Sequence, residues 1–411
     1  MSEQKSNYHW IIVAACFFLL AVSIGITVNC FNPLSVALVE KFGSASKVQT
    51  IFMIAALTNL IGSALVGKVF SKASMRLAMP IYAIVMSVGI YLWSICTSLP
   101  MYYIVAAIVG FGVSGIAVVP CGHLINNWFD EKKGLATGIA FTGSVVGGAV
   151  LVQLTQYMLN SYDLQMAYTA LAIVAAVLSI PTTIFIIRER PEDKGLAPYG
   201  AKDKGHADQS SLPGITLKQF IKTGSFWLLA ISVFLVTFVN IGLQNNISIC
   251  LTATKGLTQS DAANIISIMF VVGILGKLLL GAIYDKKGIA FGTIYCIIAY
   301  IVSAGILIYT KDFYMAIVFA VIFTMVNAMT TVAPPYVTAK IVGVKEYATI
   351  FGIMNLFYGI GLVTGPVVAA RIYDSTGSYD NAWILFSCLA IILGLATILA
   401  AKKGQGYSQM A

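Results

Sequence analysis

Twelve apolar runs, each about twenty residues or longer, fix what this chain can fold into. They are Trp10–Val36, Gln49–Phe70, Leu77–Thr97, Tyr102–Trp128, Gly134–Leu159, Ala167–Ile187, Phe226–Cys250, Ala262–Tyr284, Ile289–Tyr309, Met315–Val337, Ala348–Ile372 and Ala382–Ala401. A hydrocarbon core about 30 Å thick offers no water to the backbone, so each run must satisfy its own N–H and C=O groups as a helix. The expected fold is an all-α membrane protein with twelve transmembrane helices. Charged residues make up 10% of the chain, where soluble domains carry about 25%. The first run is too long for a signal-peptide core and lacks a cleavage pattern, so it reads as retained.

An even number of crossings puts both termini on one side. Lysines and arginines gather in the loops that share that side: Lys68, Lys72 and Arg76, Lys132 and Lys133, Arg188 to Lys222, Lys286 and Lys287, Lys340 and Lys345, Lys402 and Lys403. The other side holds Lys41, Lys47, Lys255, Lys311 and Arg371. By the positive-inside rule both termini are cytoplasmic, in a plasma or inner cell membrane. The net charge of +9 is then a matter of topology, and the partner it implies is the lipid bilayer, not nucleic acid. The five tryptophans lie towards the ends of runs, where interfacial anchors are expected.

The stretch Arg188–Lys222 is charged and rich in Pro, Gly and Ser, as a cytoplasmic linker would be. It divides the chain into an N-terminal six-helix bundle (1–188), a linker (189–222) and a C-terminal six-helix bundle (223–411). The halves echo each other weakly. Pro120 in the fourth run answers Pro334 and Pro335 in the tenth, and breaks at corresponding positions point to a midplane binding site. Gly134, Gly138, Gly143 and Gly147 are expected to let the fifth run pack closely on a neighbour. GFGVSG (Gly110–Gly115) matches a dinucleotide fingerprint but follows no strand, so it is a chance match.

One charge stands out. Lys277 lies inside the eighth run, eight residues before Asp285, or roughly 12 Å at 1.5 Å per residue. A lysine at mid-membrane costs roughly 2.5–3.5 kcal/mol on insertion scales, so it should face a wet cavity or a partner. All sixteen acids fall in loops, tails or run ends. Lys277 therefore has no evident buried counter-ion, and an anionic substrate could supply the missing charge. Polar residues on the runs that could orient such an anion include Asn29 and Asn32 in the first, Asn240, Gln244, Asn245 and Asn246 in the seventh, Asn327, Thr330 and Tyr336 in the tenth, and Asn355 and Tyr358 in the eleventh. His123, in the fourth run, is the candidate proton relay. The seven cysteines show no metal-ligand spacing and read as small packing residues. No catalytic constellation appears: there is no nucleophile elbow, HExxH or P-loop, so neither an enzyme nor a cofactor is expected.

NNWFDEKKGLATGIAFTG (Asn126–Gly143), RERPEDKGLAPYG (Arg188–Gly200), the stretch around Lys277 and GPVVAARIYDSTGSYDNAW (Gly365–Trp383) resemble the major facilitator superfamily, specifically its monocarboxylate and oxalate:formate branch. The resemblance implies two pseudo-symmetric six-helix bundles that rock between inward-open and outward-open states. It also implies a carboxylate-binding arginine where this chain has Lys277. A lysine keeps the charge but loses the bidentate fork. Animal-type members carry an acid four residues earlier, at Gly273 here, and a lysine in helix one, at Asn32 here. The oxalate exchanger has a second cation in helix eleven, near Tyr358. The superfamily's loop motif has Ser71 at its acid position in Gly67–Arg76, while the copy after helix eight keeps Asp285 and Lys286 as a conformational latch.

Together these readings describe a secondary transporter for a small organic monoanion, with a short monocarboxylate as the leading substrate, working as exchanger or proton-linked symporter and as a monomer. Lys277 is the anion anchor; Asn29, Asn32, Tyr336, Asn355 and Tyr358 are hydrogen-bonding candidates. Two alternatives stay open: a carrier of zwitterionic or neutral metabolites with Lys277 structural, and a transporter-like nutrient sensor.

Overall fold

A computed structural model describes residues 7–200, 214–343 and 345–409. Thirteen linker positions, 201–213, lie outside the described residues. Among the described residues, eleven helical runs are long and apolar enough to cross a bilayer. Eight are α1 (Tyr8–Phe42), α2 (Ala45–Phe70), α3 (Met75–Ile95), α4 (Leu99–Trp128), α5 (Lys133–Ser161), α6 (Leu164–Ile186), α7 (Gly224–Thr254) and α12 (Asp380–Lys403). Two more are α10 (Phe313–Val342) and α11 (Tyr347–Thr376). The remaining run, Gln259–Tyr309, has 51 residues. A straight helix of that length would reach roughly 76 Å, more than twice the hydrocarbon core. It is broken at Gly288, whose φ of 80° and ψ of 172° suit a residue without a Cβ. The two arms, α8 (259–287) and α9 (289–309), make twelve spans. Among the described residues the only β-pairing is two isolated bridges.

The chain forms two compact units, Met1–Gly43 with Thr50–Asp203, and Ser44–Gln49 with Lys204–Ala411. Each repeats one packing device. In the first unit, a Cβ on Gly143 or Gly147 of α5 would fall on the carbonyls of Phe17 or Ala21 in α1. In the second, Gly361 and Gly365 of α11 meet the carbonyls of Phe234 and Phe238 in α7 in the same way. Small residues let the backbones touch, and dispersion then holds helices that lipid would solvate equally well. Gly134 and Gly138 take no part, because nothing lies within 4 Å of a Cβ built on either. The dinucleotide-like glycines are packing residues too: Gly110 abuts Ala55 and Thr58, and Gly112 abuts Met86.

Among the described residues, four helices are interrupted within their spans and resume beyond the break. In α1 a π-turn covers Gly25–Asn29. In α4 the α-helix stops at Ser114 and resumes at Val118. In α7 it stops at Gln244 and resumes at Ile247. In α10 it stops at Asn327 and resumes at Met329. In α1, α4 and α10 the breaks precede the prolines (Pro33, Pro120, Pro334 and Pro335) instead of falling on them, and α7 breaks without a proline. Pro120 sits in the first turn of its resumed segment, where its missing N–H has no helical acceptor to leave orphaned.

The segment 188–200, charged but with basic and acidic residues in balance, packs within the first unit. Trp128 Nε1 donates to the Arg188 carbonyl (2.9 Å), and the Asp130 and Glu131 amides both donate to the Tyr199 carbonyl (2.9 and 3.0 Å). The His9 ring nitrogen Nε2 lies 2.9 Å from the Ala197 carbonyl, and the Lys194 ammonium lies 5.1 Å from the centre of the Tyr8 ring. This docking corrects one expectation. Trp128 is fully buried against Tyr8 and His9, and Trp383 is fully buried against Tyr379, so neither is an interfacial anchor. Of the seven free cysteines, six are buried and Cys388 is exposed.

Candidate functional site

Lys277 stands on α8, about 16 Å before the break at Gly288 by helical rise. It is exposed, and among the described residues its ammonium has no hydrogen-bond or ion-pair partner. Two lysines nearer helix ends behave differently. Lys41 donates to the Cys96 carbonyl at 3.2 Å, and Lys255 to the Ile308 carbonyl at 2.6 Å and to Asp380 at 3.1 Å. A long apolar stem with a free ammonium on a spanning helix requires an anion or water for the head group.

The neighbouring glycines set how α8 lies on α10. A Cβ on Gly276 would come 3.0 Å from Met325 Cα, and one on Gly273 would come 3.2 Å from Thr324 Cγ2. A side chain at position 273 would press its Cβ against the Thr324 methyl, which would have to give slightly.

The acids on spanning helices stand at their ends. Asp374 accepts from Ser44 Oγ (2.8 Å) and from the Ala45 and Ser46 amides (both 2.9 Å), inside the second unit. Asp261 closes a capping box with Thr258. Asp285 accepts from Tyr336.

The hydrogen-bonding candidates separate by environment. Asn29 is buried, and its Nδ2 donates to the Ser144 carbonyl at 3.0 Å, clamping α1 to α5. Asn246 does the same in the second unit, donating to the Pro366 carbonyl at 3.0 Å. Asn32 is buried with its Oδ1 unpaired. The Tyr336 hydroxyl is held by Asp285, and its ring stacks on Tyr284. Asn355 is exposed and Tyr358 half-buried; neither side chain has a hydrogen-bond partner among the described residues. His123 is exposed near the end of α4. Asn127 Nδ2 lies 3.1 Å from its Nε2 and also donates to the Glu189 carbonyl at 3.1 Å. Lys286 is exposed beside Asp285.

The family model of the Major Facilitator Superfamily matches residues 17–336. The chain belongs to the Major Facilitator Superfamily. A human relative, Monocarboxylate transporter 12, is 24% identical over 435 residues, covering 98% of this chain and 83% of its own. The MFS-type transporter pynF of Aspergillus niger is 22% identical over 417 residues, covering 98% and 90%. Among solved structures, a bacterial homologue of the human lysosomal transporter Spinster, inward-facing and occupied, superposes with a TM-score of 0.74 at 15% identity, covering 97% of this chain and 98% of its own. A mutant of the nucleoside transporter NupG gives 0.75 at 15% identity, covering 96% and 100%. The fold is thus the major facilitator fold, and the protein is a multi-pass membrane transporter of a small molecule, not an enzyme.

Within this superfamily frame, one polar feature escaped the sequence reading. Asn327 Nδ2 donates to Gln244 Oε1 at 2.7 Å, and the Thr330 hydroxyl donates to Asn327 Oδ1 at 3.1 Å. The chain joins α7 to α10 at the break in each. All three residues are polar positions on apolar runs, but nothing local in the sequence says that they meet.

Proposed function

We propose that this transporter moves a small organic monoanion, with a short monocarboxylate as the leading substrate, by alternating access. The observation that carries the reading is the unpartnered Lys277 ammonium on a spanning helix whose acids stand only at its ends. One ammonium suits one carboxylate, and the pair removes the cost of carrying either charge alone through a low-dielectric path. The similarity to Monocarboxylate transporter 12 over nearly the whole chain supports the same substrate class. Asn32, Asn355 and Tyr358 remain candidates for orienting the anion. Asn29 serves first as a helix clamp, and Tyr336 belongs with Asp285 and Lys286 in the latch.

Both termini face the cytoplasm of a plasma or inner membrane, and the transport unit is a monomer. Exchange of one anion for another is the favoured mode, with proton-linked symport through Lys277 or His123 as the competing one. The test is uptake of radiolabelled monocarboxylates into proteoliposomes. Lys277→Ala abolishes uptake while the protein elutes as a single folded species; Lys277→Arg keeps part of it. Wild-type uptake by the alanine variant would overturn the reading.

A further inference from the structure

Gln244 ends the first segment of α7, and Asn240 lies one turn earlier on the same face. Both side chains are half committed. Gln244 Oε1 accepts from Asn327, so its Nε2 points away from that bond; it meets no acceptor among the described residues, and the side chain is half-buried. The Thr330 hydroxyl sets this polarity by donating to Asn327 Oδ1, which turns the Asn327 amide nitrogen towards Gln244. Asn240 is the complement. Its Nδ2 donates to the Val236 carbonyl at 2.8 Å, while its Oδ1 is buried without a partner. A free donor and a free acceptor therefore stand one helical turn apart.

Depth orders them with the ammonium. From the turn joining α7 to α8, helical rise puts Gln244 about 15 Å in, Asn240 about 21 Å and Lys277 about 27 Å. An unpaired buried amide oxygen is destabilising, and a substrate group that completes it recovers that loss.

We propose that Asn240 and Gln244 form a subsite for a neutral hydroxyl or amide group of the substrate, remote from the carboxylate. This rests on the monocarboxylate reading with Lys277 as anchor. A hydroxyl or amide is the group that both donates to Asn240 Oδ1 and accepts from Gln244 Nε2. The offset in depth of roughly 6–12 Å, less about 6 Å of lysine stem, leaves up to about 6 Å, which sets that group beyond the α-carbon at the Gln244 end. The preferred substrate is then a monocarboxylate with a distal hydroxyl or amide, not a plain alkyl acid.

The experiment uses the full-length protein in proteoliposomes and a labelled straight-chain monocarboxylate. Competition is measured with matched pairs of four- to six-carbon acids, each a terminal hydroxy acid and its deoxy parent. The wild type favours the hydroxy acid about tenfold, the worth of one such hydrogen bond. Gln244→Leu brings the pair to parity while the parent acid competes within about twofold of its wild-type value. Asn240→Leu also lowers the preference, and it decides the matter should Gln244→Leu lose all uptake. No hydroxy preference in the wild type, or an undiminished one in both variants, overturns the subsite. Failure of the underlying reading looks different: Lys277→Ala would then leave uptake of both acids unchanged.

Discussion

The Tyr336 hydroxyl donates to Asp285 Oδ1 at 3.0 Å, and its ring stacks on Tyr284 at 5.2 Å between centroids. This ties α10 to the end of α8 close to the helix-eight copy of the loop motif. A hydroxyl engaged there has its donor committed and only its acceptor lone pairs left for a substrate. On the proposed latch role, Tyr336→Phe is expected to alter the transport rate by a few-fold, since one such hydrogen bond contributes about 1 kcal/mol. Competition constants for substrate should stay within about twofold. A tenfold loss of affinity at unchanged rate would return Tyr336 to the binding site.

The fifth helix offers a control built into one sequence. Ala at Gly143 or Gly147 would drive a methyl into the Phe17 or Ala21 carbonyl, and overpacking of this kind costs typically about 1–3 kcal/mol. Gly138 faces open space, so Gly138→Ala should be neutral or gain up to about 1 kcal/mol from helix propensity. Thermal unfolding in detergent should rank the variants Gly138→Ala above wild type or equal to it, with Gly143→Ala and Gly147→Ala below. The reverse order would mean that α1 and α5 do not pack through these glycines.

Substrate charge provides a third check. Lys277 offers a single positive charge, so a dicarboxylate brings a second negative charge with no matching partner, at a cost of several kcal/mol before relaxation. Monocarboxylates should compete for uptake far better than oxalate or malonate at neutral pH. Equal competition would require another cation at the site.

Coupling follows from the same arithmetic. A proton symporter needs a group that titrates where the anion binds, and the acids on the spanning helices stand at helix ends, with Asp285 and Asp374 already accepting hydrogen bonds. An empty carrier must also carry an unpaired ammonium through its closed state, which disfavours return without cargo. Efflux from preloaded liposomes should therefore accelerate strongly when substrate is added outside and respond little to an imposed pH gradient. Uphill accumulation driven by a proton gradient alone would instead bring forward Lys277 or His123 as the titrating group.

The number of spans, the basic loops and the absence of mid-span acids were legible from residue order alone. Each depends on the composition of a continuous stretch, and a bilayer tests every stretch separately. The polar residues on those spans were also visible, but not their use. Asn29 and Asn240 look alike in sequence. One spends its amide on the Ser144 carbonyl of another helix, while the other keeps an oxygen unpaired. Gly138 and Gly143 differ in the same way, one facing open space and one a backbone. The rotational setting of two helices distant in the chain decides such pairings, and a local pattern carries no record of it. Sequence thus determined which side chains could serve a substrate; tertiary packing decided which of them are still free to do so.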